Sequence, residues 1–133
     1  AGLDPDTLTV VERFDHTVRS GHSAAAQALQ ANRETTALLC TTDVIALGAL
    51  NFARVSGIDV PSQLSVTGFD GISDAIRENL TTVRQDAEEK GRRAGKLVLS
   101  SSHSGIVAAE TLPTELFRGR TAAPPPAQPP AIA

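Results

Sequence analysis

Hydrophobic residues along the chain gather into short runs separated by polar, helix-compatible stretches, and these runs set the order of elements. Leu8 to Arg13, LTVVER, has the β-branched content of a strand, and SGHSAAAQALQAN behind it is rich in Ala, Leu and Gln, with Ser20 placed as an N-cap. The alternation then repeats. TALLCT is an apolar run of strand length, Asp43 can cap the next element, and VIALGALNFARVSG is a helical stretch closed by Gly57. IDVPSQ turns the chain, and Leu64 to Gly68 predicts a third strand. Beyond GFDG, Ser73 to Glu78 predicts a short helix and TTVRQ a short extended piece. DAEEKGRRAGKLVLSS predicts a longer helix in which acids lead and bases come after, as the macrodipole prefers, with Asp86 as its cap. VAAETLPTELFR predicts a last extended pair, interrupted by Pro113, which suits an edge rather than a central strand. Strand alternating with helix makes the fold class α/β, a parallel sheet with helices on its faces.

The helix at Val44 to Val55 has almost no polar face, since Val44, Ile45, Ala46, Leu47, Ala49, Leu50, Phe52 and Val55 spread around it. One side must pack on the sheet. The other either meets a second protein surface or is covered within its own domain, and the pattern allows both.

At 133 residues and 13.8 kDa the chain is the size of one domain, or of one lobe of a larger one. With 3% aromatic residues and no Trp, Tyr or Met, its core must be filled by Leu, Val, Ile and Ala. A formal net charge of −3 gives no electrostatic footprint for phosphate backbones, so the chain alone is not expected to bind nucleic acid. One cysteine, Cys40, in an apolar run, permits no internal disulfide and fits a reducing, cytoplasmic compartment. Nothing resembles a signal peptide, and no apolar run approaches the ~18 residues of a membrane span. From Thr121, TAAPPPAQPPAIA has the composition of a disordered tail, which sets the expected domain at residues 1–120 and the tail at 121–133.

The chemistry-bearing stretch is SVTGFDG, where a buried strand runs up to Asp70, a carboxylate next to a glycine. Asp70 is either a turn residue bonding the next N–H groups or an acceptor presented to a ligand. An enzyme reading finds little to build on. Cys40 lies in a strand, with no oriented third group for a pairing with His16 or His22, and no nucleophile elbow is present. His16, His22 and His103 lack the spacing of metal ligands, and no catalytic residue or cofactor is implied.

Taken together, CTTDVIALGALNFARVSGIDVPSQLSVTGFDG, LTTVRQDAEEKGRRAGKLVL and LPTELFRGR resemble, in order and spacing, the effector-binding domain of the lactose/galactose repressor (LacI/GalR) family of bacterial transcription regulators. The resemblance runs from about Val10 to Thr121. It implies a periplasmic-binding-protein-like sensor, two doubly wound lobes closing on a small molecule, of which these residues match the second lobe and lack the first. It further implies a cytoplasmic homodimer that meets DNA only through a helix-turn-helix headpiece upstream, absent from these residues. The effector implied is a sugar, nucleoside or purine-like molecule. No membrane partner is implied.

Site residues come from the same resemblance. Asp70 matches an aspartate that accepts hydrogen bonds from effector hydroxyls or ring N–H groups, and such ligands bind beyond the carboxyl ends of parallel strands. Thr42 matches a position that often carries an effector-touching asparagine; it can equally help Asp43 to cap the helix. His16 falls where members place an aromatic ring, and a solvated loop histidine is the competing assignment. Gln85 matches a position near the crossing between lobes, as hinge or as ligand. Ile45, Leu47 and Leu50 fall on the implied dimer surface, which also includes GISDAIRENLTT, a segment shorter here than in the family and without its prolines. Two alternatives share the fold or the sequence: a fragment of a sugar- or solute-binding protein, and a non-functional remnant.

Overall fold

The computed structural model describes residues 8–12, 15–104, 109–127 and 130, with 101–104 as backbone only. Among the described residues, four helices and four strands succeed one another as α1 (Val18–Ala31), β1 (Ala37–Leu39), α2 (Asp43–Val55), β2 (Ser65–Asp70), α3 (Ser73–Arg77), β3 (Thr81–Arg84), α4 (Ala87–Ser104) and β4 (Glu115–Phe117). The strands form one sheet in the order β1-β2-β3-β4. β1, β2 and β3 are parallel, with Leu39 beside Thr67 and Asp70 beside Arg84, and β4 returns antiparallel along β3. Three parallel strands put three carboxyl ends on one edge, where three of the expected site residues, Thr42, Asp70 and Gln85, lie.

Local sequence explains the ends of the helices. α1 is capped by Thr17, whose hydroxyl accepts from Ser20 N at 3.1 Å. Ser20, expected as the cap, instead lies buried three residues into the helix. α2 is capped by Thr42 through Ile45 N at 3.4 Å, and ends before Gly57, whose φ of +68° is the left-handed residue that closes a helix. Asp43, also expected as a cap, is the first helical residue and turns its carboxylate inward. Asp86 does cap α4, accepting from Glu89 N at 2.8 Å, with Glu88 and Glu89 in the first turn.

The core is one aliphatic cluster: Ala25 and Leu29 of α1, Ala46, Ala49 and Ala53 of α2, Val66 of β2 and Ala75 of α3, joined by Ile58, Leu64 and Leu80. Small residues let the layers approach closely. Gly21 and Gly48 form the crossing of α1 with α2, where a Cβ on either would lie 2.2 Å from a carbonyl oxygen of the other helix. α1 therefore covers part of the apolar surface of α2 from within the domain. The opposite face of the sheet leaves Leu39 83% and Phe69 37% exposed.

Two stretches differ from expectation. Leu8 to Glu12 form no strand, and Arg13 lies outside the described residues. A strand is held by a neighbour's N–H and C=O groups; β1 is the edge of the sheet, and Leu8 and Val10 stand 64% and 77% exposed. Of VAAETLPTELFR only Glu115 to Phe117 pairs, while Val107 and Ala108 lie outside the described residues. Thr121, where the tail was expected to start, is only 6% exposed. Its hydroxyl accepts from Thr81 N at 2.9 Å and donates to Val66 O at 2.6 Å, and its carbonyl accepts from Val66 N at 2.7 Å. Ser65 bonds Ala123 through both its hydroxyl contacts, so ordered contacts continue to Ala123. Proline and alanine content described the composition of 121–133 but could not show a threonine hydroxyl completing the ladder ahead of β3.

Candidate functional site

The carboxyl edge of the sheet brings Thr42, Asp70 and Gln85 to the ends of β1, β2 and β3. All three are half-buried. Asp70 closes β2 with φ of 122°, a conformation that costs a non-glycine residue about 1–3 kcal/mol and persists only where neighbours hold it. Neighbours do so on both sides. Gln85 donates its backbone N–H to the Asp70 carbonyl at 3.1 Å and its Nε2 to Asp70 Oδ1 at 2.6 Å. Lys90 Nζ donates to Gln85 Oε1 at 3.1 Å, which orients the amide, because an ammonium has donors only. Asp70 Oδ2 has no partner among the described residues.

On the other side stands Asp43, wholly buried. Its Oδ2 accepts from Gly71 N at 2.7 Å and Ile72 N at 2.9 Å, and its Oδ1 from Thr82 Oγ1 at 2.6 Å. One carboxylate thus joins the start of α2, the turn after β2 and the middle of β3. Gly68 makes room for it, since a Cβ there would lie 2.3 Å from Asp43 Oδ1. The sequence carries a signal for this role: in TTD, Thr42 fills the cap position, so an aspartate one residue into an apolar helix has to find donors elsewhere in the fold.

The remaining expected residues fall differently. His16 is exposed ahead of α1 and joins none of these hydrogen bonds. Thr42 Oγ1 is engaged as an acceptor for Ile45 N, which leaves its hydroxyl hydrogen free to donate. Ile45, Leu47 and Leu50 are half-buried on α2. Leu47 and Leu50 line a cleft of about 360 Å³ with Val18, Arg54, Asp74 and Glu78. A second cleft of about 420 Å³ adjoins Leu50, Ile58, Arg120 and Thr121. Neither includes Thr42, Asp70 or Gln85. The charged groups in the first are already matched, Arg77 with Asp74 at 2.8 Å and Arg54 with Glu78 at 3.7 Å, whereas the carboxyl edge presents a carboxylate oxygen unmatched among the described residues. Cys40, one residue past β1, has its thiol pushed up to about 11 by burial, which keeps it protonated and unreactive. None of these groups forms a nucleophile with its base; the edge can accept and donate hydrogen bonds to a polar molecule and hold it.

Comparison with known proteins agrees with this fold. Residues 2–122 match the model of the periplasmic binding protein-like domain. An HTH-type transcriptional regulator of Mycobacterium tuberculosis is 54% identical over 125 residues, covering 94% of this chain and 35% of that protein. The chain thus spans about a third of the length of that relative. A solved LacI-family regulator from Corynebacterium glutamicum superposes with a TM-score of 0.80 at 35% identity, over 92% of this chain and 36% of that one. A LacI-family regulator from Arthrobacter, solved in complex with lactose, superposes at 0.65 and 28% identity, over 80% of this chain and 42% of that one. The chain belongs to the periplasmic binding protein-like domain family, within the branch formed by the sensor domains of LacI/GalR-type regulators.

Proposed function

We propose that this chain is the effector-binding lobe of a cytoplasmic, DNA-binding transcriptional regulator, and that it holds a small hydroxylated molecule at the carboxyl edge of its sheet. The observation that carries the reading is Asp70: a half-buried carboxylate, held at positive φ, with one oxygen bound by Gln85 and the other without a partner among the described residues. A carboxylate accepts only, so its ligand supplies O–H or N–H donors. That fits a sugar, a nucleoside or a purine-like molecule, and the lactose bound by the Arthrobacter regulator supports the sugar class. Thr42 contributes a second polar contact, His16 a third from the loop ahead of α1, and Gln85 fixes Asp70 while marking the crossing between lobes. The lobe binds and signals rather than catalyses. Ile45, Leu47 and Leu50 on α2 serve a homodimer contact, and DNA is met through a headpiece outside these residues.

The test is Asp70→Asn in the intact protein. A thermal-shift screen of sugars, nucleosides and purines first identifies a molecule that stabilises the wild type. Asparagine is nearly isosteric, but it replaces a charge-assisted acceptor and can turn a donor toward the ligand's donors, so affinity should fall by roughly 2–3 kcal/mol, about 30- to 150-fold. Equal dissociation constants for the two proteins would remove Asp70 from the site.

A further inference from the structure

We propose that Asp43, fixed by Thr82, is the positioning residue that holds Asp70 in its ligand-facing conformation. The inference rests on Asp70 being the effector acceptor and names what keeps it so.

The dihedrals of Asp70 are set by the peptide before it and the peptide after it. The first is fixed by the ladder, where Phe69 sits beside Val83 and Asp70 beside Arg84. The second belongs to Gly71, and its N–H is bound by Asp43 Oδ2 at 2.7 Å, with the next N–H, of Ile72, bound by the same oxygen at 2.9 Å. With both peptides held, Asp70 has no freedom to relax from φ of 122° to an extended value. Relaxation would swing the Gly71 N–H away from a buried carboxylate and leave both groups without a partner.

Asp43 can act as this anchor because it is itself immobile. It is the first residue of α2, it is wholly buried, and its Oδ1 accepts from Thr82 Oγ1 at 2.6 Å. Thr82 is 1% exposed in the middle of the sheet. The hydroxyl therefore sets the rotation of the carboxylate, the carboxylate sets the turn, and the turn sets Asp70. Neither Asp43 nor Thr82 is exposed to a ligand, so any effect they have on binding passes through the conformation of Asp70.

The test uses Thr82→Val, which removes the hydroxyl and keeps the shape, and Thr82→Ser, which restores the hydroxyl, both in the intact protein. The three-bond coupling between the amide and α protons of Asp70 reports φ directly, being small at this positive φ and large in extended backbone. Thr82→Val should raise that coupling and speed hydrogen exchange at Gly71 and Ile72 by ten-fold or more, and Thr82→Ser should keep both as in wild type. A Thr82→Val protein that melts lower yet keeps the wild-type coupling and exchange would show a merely structural role and overturn the proposal. Wild type alone supplies a further check should that variant not fold: scalar couplings across the hydrogen bonds from the Gly71 and Ile72 nitrogens to the Asp43 carboxyl carbon must be present, and their absence is equally fatal. Titration with lactose, ribose and adenosine separates this proposal from the one beneath it. If Asp70→Asn weakens binding of a probe ten-fold and Thr82→Val leaves it unchanged, positioning by Asp43 fails while the acceptor role of Asp70 stands. If Asp70→Asn binds as wild type does, the acceptor role fails, and the coupling at Asp70 still decides whether Asp43 holds the turn.

Discussion

Thr121→Val tests the point at which the fold ends. The threonine hydroxyl makes two hydrogen bonds to main-chain groups, accepting from Thr81 N at 2.9 Å and donating to Val66 O at 2.6 Å. Valine fills the same volume and supplies neither bond. The bond from Val66 N to the Thr121 carbonyl is untouched, so the segment remains beside β2 while a donor and an acceptor lose their partner. An orphaned buried group costs about 1–3 kcal/mol. Two such groups sum to about 2–6 kcal/mol, and because Thr121 borders the cleft of about 420 Å³, where the chain can relax, the expected loss lies in the lower half of that range, about 2–4 kcal/mol. Urea denaturation measures it, as a shift of the midpoint at constant slope. Thr121→Ser is the control: it keeps the hydroxyl and gives up one methyl group, which costs about 1 kcal/mol. A valine variant within about 0.5 kcal/mol of wild type, or a serine variant as unstable as the valine one, would refute the assignment of Thr121 to the sheet.

Three other outcomes are expected. Burial raises the Cys40 thiol from 9.0 to about 11, so the folded state favours the protonated form; its contribution is complete below pH 9 and lost as pH rises through 11, and at pH 8 the thiol should react with a disulfide reagent far more slowly in the folded protein than in urea. Glu89 is held down to about 2 by Arg92 first and Arg93 second; the pairing should act above pH 4.5 and be lost as pH falls toward 2, and a carboxyl-carbon titration of Glu89 with its midpoint near 4.5 would show that the pairs do not form in solution. Leu47→Asp places a charge in the cleft that Leu47 and Leu50 line, so if that face joins two copies, sedimentation should show a wild-type dimer and a mutant monomer; a monomeric wild type at high concentration would exclude the contact.

How far the sequence disclosed the fold depended on how local the cause was. β1, α2, α3, β3 and α4 were legible because their signals lie within a few positions of one another, an apolar or β-branched run for the strands, a helix-forming run for the helices, and Gly57 closing α2 and Asp86 capping α4. β2 runs two residues further than expected, to Asp70, because pairing with β3 carries the strand through the glycine-flanked end. Leu8 to Arg13 has the composition of a strand, and composition cannot provide a neighbour to pair with. The role of Thr121 is not legible locally, because its partners, Val66 and Thr81, are 55 and 40 positions away. In the site, the glycine after Asp70 marked a turn and left the role of the carboxylate open; the resemblance to LacI/GalR sensors is what singled it out as an acceptor. The contact between Gln85 and Asp70 spans 15 positions and arises only from β2 and β3 lying side by side.

The two aspartates of this edge differ in how far their acceptor capacity is already used, and the difference supports the binding role proposed for Asp70. A carboxylate offers about four lone-pair positions on two oxygens. Asp43 receives three donors, two on Oδ2 and one on Oδ1, and no solvent reaches it. A ligand could engage it only by breaking the turn that shapes the site. Asp70 receives one side-chain donor, on Oδ1, and remains half-buried. That donor comes from an amide whose oxygen is claimed by Lys90, so Gln85 cannot rotate to present its acceptor without giving up the ammonium. The result is a carboxylate whose direction is fixed from both sides while one oxygen stays open, which is what a site needs to select donors by geometry rather than to attract them by charge alone.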